Sequence, residues 1–293
     1  MPNTVNYATN FEKDLVQKYK RELLTNDLTT NNVKFVNAKT IKIPNLLLGG
    51  FKDHGRNGGF NRQDAENQYI TKTLSHDRDV EFFVDTMDVD ESNQALSAAN
   101  LTNTFEEEHA IPEKDSYRMS KIYADYVAQG KTVDTTALTV TNILAKFDEY
   151  MEALDEAEVP EEGRILYATP TIKTMLKNAE KISRQMDVTG NSGNVYRMVK
   201  SLDDVKIKTI PSARMKTAYD FTDGCIPAET AKQINMILVH PKSVISTDKH
   251  SYINLWAPGS HTQGDGYLYQ NRQYGDLFVI ETRANGIKIN TEA

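Results

Sequence analysis

Apolar and polar positions in the first third of the chain alternate rather than recur with a helical period. Residues 33–45 alternate around Val33, Phe35, Ile41 and Ile43, slip once in between, and stop at Pro44, which predicts a strand carrying a bulge. Tyr69, Thr71 and Thr73, then Val80, Phe82 and Val84, predict a returning strand over 69–74 and 79–87. Between the two runs lies a long polar excursion, with Gly49-Gly50 at its base and HGRNGG at its tip. The pattern predicts a β-hairpin that leaves the body of the subunit and lies on a neighbour. Ahead of it, residues 1–9 read as an extended arm. Phe11, Leu15, Tyr19 and Leu23 predict a short helix over 10–24, with Asn10 at its start. That helix suits a surface element of its own subunit and an arm docked on another equally well.

Residues 93–129 are helical in period. Leu96, Leu101 and Phe105 share one face, and after Pro112 the stripe continues through Met119, Ile122, Tyr123 and Tyr126. Pro112, with Glu113 and Asp115 after it, suits a helix first turn, so two helices or one broken at Ile111 are expected, closed by Gly130. Ile143, Leu144, Phe147, Tyr150, Met151 and Leu154 predict an amphipathic helix over 138–157. RILYATP is a strand leading through Thr169 and Pro170 into a helix over 171–181. Residues 182–201 are polar and loop-like, 205–210 form a strand, and INMILVH at 234–240 reads as a buried central strand. Strands are expected at 252–256, 266–273 and 277–289, around the turn APGSHTQGDG. The mixture is α+β rather than a regular βαβ series.

At 293 residues the chain can bury a sizeable core without staples, although only 39% of it is hydrophobic. A net charge of −7 argues against a broad basic face that coats DNA. The one cysteine, Cys225, can form no intrachain disulfide, which fits a reducing cytoplasm. No basic-then-apolar leader opens the sequence and no apolar run is long enough for a bilayer, so neither export nor membrane anchoring is expected.

Catalytic patterns are missing. His54, His76, His109, His240, His250 and His261 share no metal-ligand spacing, and no metal or cofactor is expected. GRNGGF at 55–60 lacks the Lys-Ser/Thr of a phosphate loop, and it and the GDG at 264–266 read as mobile turns. There is no GxSxG, and Cys225 has no histidine near it in sequence. The acids of DTMDVDE at 85–91 lack the glycine and distant glutamate of a calcium loop and read as a strand end running into a solvated turn.

One ordered set of segments carries more information than any of these: NNVKFVNAKTIKIPNL, a glycine-bearing loop, LSHDRDVEFFVDTMDVDES, IPEKDSYRMSKIYADY and YLYQNRQYGDLFVIETRANGIKI. In this order they resemble the major capsid proteins of tailed bacteriophages of Gram-positive hosts, which have the Hong Kong 97 type of fold. The resemblance implies an N-terminal arm at 1–32, an extended loop with flanking peripheral-domain strands at 33–92 (tip about 49–67), and a spine-helix region at 93–130. It further implies an axial domain at 131–240, peripheral strands with a threefold loop at 241–276, and a strand at 277–293 returning to the axial domain. Lys52, Asp53, Arg56, Arg62 and Asp64 on the extended loop, and His261 and Asp265 on the threefold loop, are the candidate intersubunit contacts. The implied partners are copies of the same chain in hexamers and pentamers, a separate scaffolding protein, a portal, and packaged DNA in weak non-specific contact. The implied location is a virion shell assembled in the bacterial cytoplasm. Some members of that family join a lysine to an asparagine between subunits; the resemblance alone does not carry that chemistry to Lys52 or Lys72 with Asn254 or Asn271. Three other readings stay open at this point: an encapsulin-like nanocompartment shell, a ring-forming tail or connector protein, and a cytoplasmic enzyme with a site in 131–240.

Overall fold

The computed structural model describes residues 22–30, 35, 37, 39–54, 58, 61–91, 98–179 and 201–293. Its centre is a five-stranded sheet, ordered β12-β9-β4-β6-β5, from β4 (Ile165–Ala168), β5 (Ser201–Leu202), β6 (Val205–Thr209), β9 (Ile234–Val239) and β12 (Ile287–Thr291). β4 and β6 run parallel; the other neighbours are antiparallel. The two strands at its centre, β4 and β9, are covered on both faces and carry no polar alternation, whereas β6 alternates Val205 and Ile207 with Lys206 and Lys208. Leu166, Ala168, Met236 and Leu238 meet helices α4 (Ile143–Asp155) and α5 (Pro170–Asn178) through Ile143, Phe147, Tyr150, Leu154, Ile172 and Leu176. The alternate residues Ile165, Tyr167, Ile237 and Val239 meet Met119, Ile122 and Tyr126 of helix α3 (Ile111–Ala128).

A second sheet, ordered β10-β11-β3, joins β3 (His76–Val84), β10 (Val244–Trp256) and β11 (Tyr267–Val279) in antiparallel register. Leu277 and Val279 at the end of β11 enter the same apolar cluster as α3 and the central sheet, so one strand ties the two sheets together. The third element is the hairpin of β1 (Thr40–Leu48) and β2 (Ala65–Thr73), paired from Thr40↔Thr73 to Leu48↔Ala65. Its root is held by Ile41 and Leu74 against Phe278. A small pair, β7 (Tyr219–Asp220) with β8 (Ile226–Pro227), lies beside α3.

Several elements differ from the sequence expectation for identifiable reasons. The returning strand is two strands in two sheets: β2 pairs with β1 and β3 with β11. The chain changes sheet at Ser75, whose backbone N–H and hydroxyl both donate to the Asp276 carboxylate. DTMDVDE is not a strand end but a short helix, α1 (Thr86–Glu91), begun by Asp85, whose side chain accepts from the Met87 N–H at 2.8 Å. No break occurs at Ile111. Helix α2 (Ala98–Phe105) runs through a π-helical turn (Glu106–Ala110) into α3, and Pro112 sits in the first turn of α3 without ending it. Gly130 closes that helix at φ +73°, with Gly130 N–H bonded to Val127 O and Lys131 N–H to Tyr126 O.

β10 begins well before residue 252, and β11 continues past 273 to Val279, so the boundary expected at 276/277 falls inside a strand. A bulge between Asp248 and His250 breaks the alternation that would have revealed the long β10. β12, rather than a strand starting at 277, returns to the central sheet against β9. Residues 22–24 are not helical, while the rest of the helix expected at 10–24, the arm at 1–9 and nearly all of the loop at 182–201 lie outside the described residues.

Candidate assembly interface

The β1–β2 hairpin buries little within its own chain. Along β2 every residue from Ala65 to Tyr69 is exposed. At its far end large apolar side chains face water: Leu46 is 61% exposed, Leu48 67% and Phe51 fully exposed, with Leu47 and Tyr69 about half exposed. An apolar strip of this kind on a projecting arm is the signature of a surface that is covered by another molecule. The neck of the arm is shaped by amides. Gln63 Nε2 donates to Gly50 O at 2.9 Å, and Asn61 Nδ2 donates to Asp53 O at 2.9 Å and Lys52 O at 3.4 Å. These bonds close on the arm itself and owe nothing to the rest of the subunit.

The predicted contact residues fall in two places. Lys52, Asp53, Arg62 and Asp64 lie exposed on the arm, and among the described residues none of the four forms an intramolecular ion pair; Arg56 lies outside the described residues. Asp265 is exposed on the loop joining β10 to β11. His261 is committed to that same loop: its Nδ1 accepts from Gln263 N–H at 3.2 Å, which leaves Nε2 to donate to Gly266 O at 2.8 Å. The loop is not a free turn, which corrects the expectation for its GDG. Gly266 is buried, and a Cβ there would lie 2.3 Å from Val84 O and 2.8 Å from the Phe83 ring. Gly266→Ala is therefore expected to cost about 1–3 kcal/mol. Gly50→Ala, which meets open space, should change stability by less than about 1 kcal/mol. Thermal unfolding of the two variants checks both values.

Sequence reasoning missed a buried polar anchor under the helix. Asp115, wholly buried, accepts from Thr25 N–H at 3.1 Å, Thr25 Oγ1 at 2.8 Å and Arg214 Nη1 at 3.1 Å. Arg118, one helical turn on and 2% exposed, donates from Nη1 to Thr25 O at 3.0 Å. The anchor fastens residues 24–25 to α3 and to the Ser212–Arg214 turn. Its signal was present: Asp115 and Arg118 lie on the buried stripe of Met119 and Ile122, where an unpaired charge would be costly. A second network centres on Asp276, which accepts from Ser75 and from Tyr117 Oη at 2.6 Å.

A groove of about 1210 Å³ runs between α3, the three-stranded sheet and the β7–β8 pair. It holds His76, Arg78, Glu113, Cys225, Asp248 and His250, the residue types from which an active site could be drawn. Their states do not suit nucleophilic chemistry. Burial pushes the Cys225 thiol up to about 11, so it is protonated near neutral pH. Glu113 is held by Arg78 Nε at 2.7 Å, and Arg78 also donates to Phe221 O. The His76 ring stacks on Tyr117 with centroids 3.7 Å apart and meets Phe221 edge-on. Among the described residues no cluster of His, Cys, Asp and Glu could hold a metal ion.

His76 nevertheless gives a pH dependence. Burial, and after it the nearby Arg78, lower its pKa from 6.5 to about 4, against the opposing pull of Asp276 and Asp77. A ring that resists its proton in the folded chain contributes stability that is whole above pH 6.5 and is lost as pH falls through 4. The loss from this residue is on the order of 2–3 kcal/mol. His76→Phe keeps the stack and should remove this component. The fall in urea midpoint from pH 7 to about pH 4.5 should be smaller in the variant than in the parent.

No family model matches this sequence, and no curated protein does. Solved structures do match, over nearly the whole chain. A chain from the structure described as the asymmetric unit of the bacteriophage PhiM1 mature capsid superposes with a TM-score of 0.71 at 13% identity, covering 98% of this chain and 92% of that one. A chain of the cyanophage P-SCSP1u capsid structure gives 0.66 at 13% identity, covering 98% and 93%. A chain from Mycobacterium phage Che8 gives 0.63 at 12% identity, covering 97% and 96%. The mixed α+β architecture of this chain is the fold found in solved phage capsids.

Proposed function

We propose that this chain is the major capsid protein of a tailed bacteriophage or prophage, a structural shell subunit rather than an enzyme. The observation that carries the reading is the pairing of a fold shared end to end with capsid chains with an arm whose apolar side chains find no cover in their own subunit. In the Hong Kong 97 arrangement, β1–β2 is the extended loop, α2 and α3 the spine helix, and the five-stranded sheet with α4 and α5 the core of the axial domain. β3, β10 and β11 then form the peripheral sheet, and the 257–266 turn meets its copies near threefold axes. On this assignment Lys52, Asp53, Arg56, Arg62, Asp64 and Asp265 face neighbouring copies. Exposed pairs among them add at most about 1 kcal/mol each, so the apolar strip contributes more to cohesion than the charges do. His261 shapes its loop and contacts copies only through it. Copies assemble as hexamers and pentamers, with a scaffolding protein and a portal as partners, in the host cytoplasm.

Asn271 and Lys72 have other engagements in the subunit. Asn271 Nδ2 donates to Glu106 and to Tyr269 Oη, and Lys72 Nζ lies 3.5 Å from Glu281. These contacts commit Asn271 and Lys72 within the subunit. Sedimentation velocity of the purified chain, alone and co-expressed with its neighbouring genes, tests the proposal. Megadalton particles in either sample support it, and a small discrete oligomer in both would overturn it.

A further inference from the structure

The hairpin and the three-stranded sheet have four outer strand edges between them, and only two of these are guarded against pairing. The hydrogen-bond parity of each strand follows from single bonds at its root. Leu74 N–H donates to Lys39 O at 2.8 Å, which turns the backbone of Ile41 and Ile43 inward and that of Lys42, Pro44 and Leu46 outward. On β2 the outward groups belong to Asn67, Tyr69 and Thr71. Pro44 thus stands on the outer edge of β1 and removes a donor there. On β3 the register with β11 turns the backbone of Asp77, Asp79 and Glu81 outward; Asp77 is neutralised by Arg272, and the charges of Asp79 and Glu81 discourage an approaching strand. β2, and β10 beyond its bulge, carry no such device. The run NQYIT at 67–71 is uncharged, and so is SYINLW at 251–256.

On β10 the bond from Ile280 N–H to Ser243 O sets the parity, and past the bulge Ser251, Ile253 and Leu255 turn outward. The first part of this edge is already used: Thr30 N–H donates to Ser246 O at 2.8 Å. Beyond the bulge no strand covers it among the described residues, and Tyr252, Ile253 and Leu255 are 37%, 48% and 41% exposed. A two-stranded hairpin is marginal alone and gains from a third strand.

We propose that β2 of one copy adds to the outer edge of β10 in a neighbouring copy, so that the sheet of one subunit continues into the hairpin of the next. This rests on the shell reading above. The occupant is a second copy because the chain forbids its own. Only Leu74 and Ser75 separate β2 from β3, and β3 lies on the opposite edge of the sheet from β10, with β11 between. Backbone bonds then supply cohesion, and side chains such as Tyr69 and Ile253 set the register.

The test uses the full chain with Cys225→Ser and one engineered pair at a time. Ile253→Cys is combined with Asn67→Cys, Tyr69→Cys or Thr71→Cys on β2, or with Lys42→Cys or Leu46→Cys on β1. Particles are counted by electron microscopy, oxidised with diamide and run on a non-reducing gel. The expected result is a ladder of linked chains from at least one β2 position and none from β1, which lies a strand spacing further away, beyond disulfide reach. Intact particles with no β2 ladder, an equal ladder from β1, or a link closed within one chain would each overturn the proposal. Absence of particles from the parent overturns the shell reading, and this one with it. Thr71→Pro is the independent check: it takes one outward amide and no bond within the hairpin. It should leave monomer unfolding unchanged and lower particle yield at least about tenfold, as a lost edge donor implies. An unchanged yield would overturn the proposal.

Discussion

Replacing residues 49–64 by a short glycine-serine turn is expected to leave the subunit folded and to abolish closed shells. Within one chain the described part of this segment touches little but itself. Its side chains are exposed, and the Gln63 and Asn61 bonds end on Gly50, Lys52 and Asp53. Shortening such a loop changes closure entropy by about 1 kcal/mol or less, so thermal unfolding of the isolated subunit should move by only a few degrees. Assembly is a different matter. The segment carries Phe51 and five of the candidate contacts, and a shell multiplies the loss over every copy. Circular dichroism melts and electron micrographs of the same preparation check both halves. Cooperative unfolding of the shortened monomer would mean that the arm belongs to a core, and the architecture drawn above would be wrong.

Asp115→Ala should be among the most damaging single changes to the subunit, at about 3–5 kcal/mol. It strips a wholly buried carboxylate from Arg214, leaves Arg118 beside an emptied site, and orphans the Thr25 N–H and hydroxyl. Asp248, 3.7 Å from Arg118 Nη2, is too exposed and too occupied with Lys114 to replace it. Asp115→Asn keeps an acceptor for Thr25 and should cost less than the alanine. Urea unfolding ranks the two. Limited proteolysis should show faster cleavage near residues 22–30 in the alanine variant, because Asp115 is what fastens that segment to α3.

Legibility in the sequence followed burial. The two strands at the centre of the main sheet, covered on both faces, appear as apolar runs, ILYA in β4 and MILV in β9, and α4 and the second half of the long helix show a clean stripe. The three-stranded sheet was harder. Gln270, Asn271, Arg272 and Gln273 interrupt β11 because each has a polar partner or faces water, and the bulge at Asp248 hides half of β10. The arm was legible as a polar, glycine-bearing excursion. Its apolar strip was legible only as a strand end, since Leu46–Leu48 read the same whether they face a core or water. The anchor on Asp115 and the edge logic of Pro44 depend on pairing between distant segments, and a single sequence does not display pairing. In the helix, Pro112 looked like punctuation because a break was the cheapest local reading. The π-helical turn ahead of it absorbs the mismatch instead.

In the shell proposed above, copies of this chain close by laying their arms over one another. A cryo-electron-microscopy reconstruction of particles formed by the chain with its neighbouring genes tests it most directly. The expected result is an icosahedral shell in which residues 40–73 of each copy lie on an adjacent copy. An open ring, a small oligomer, or a hairpin folded back on its own subunit would contradict it.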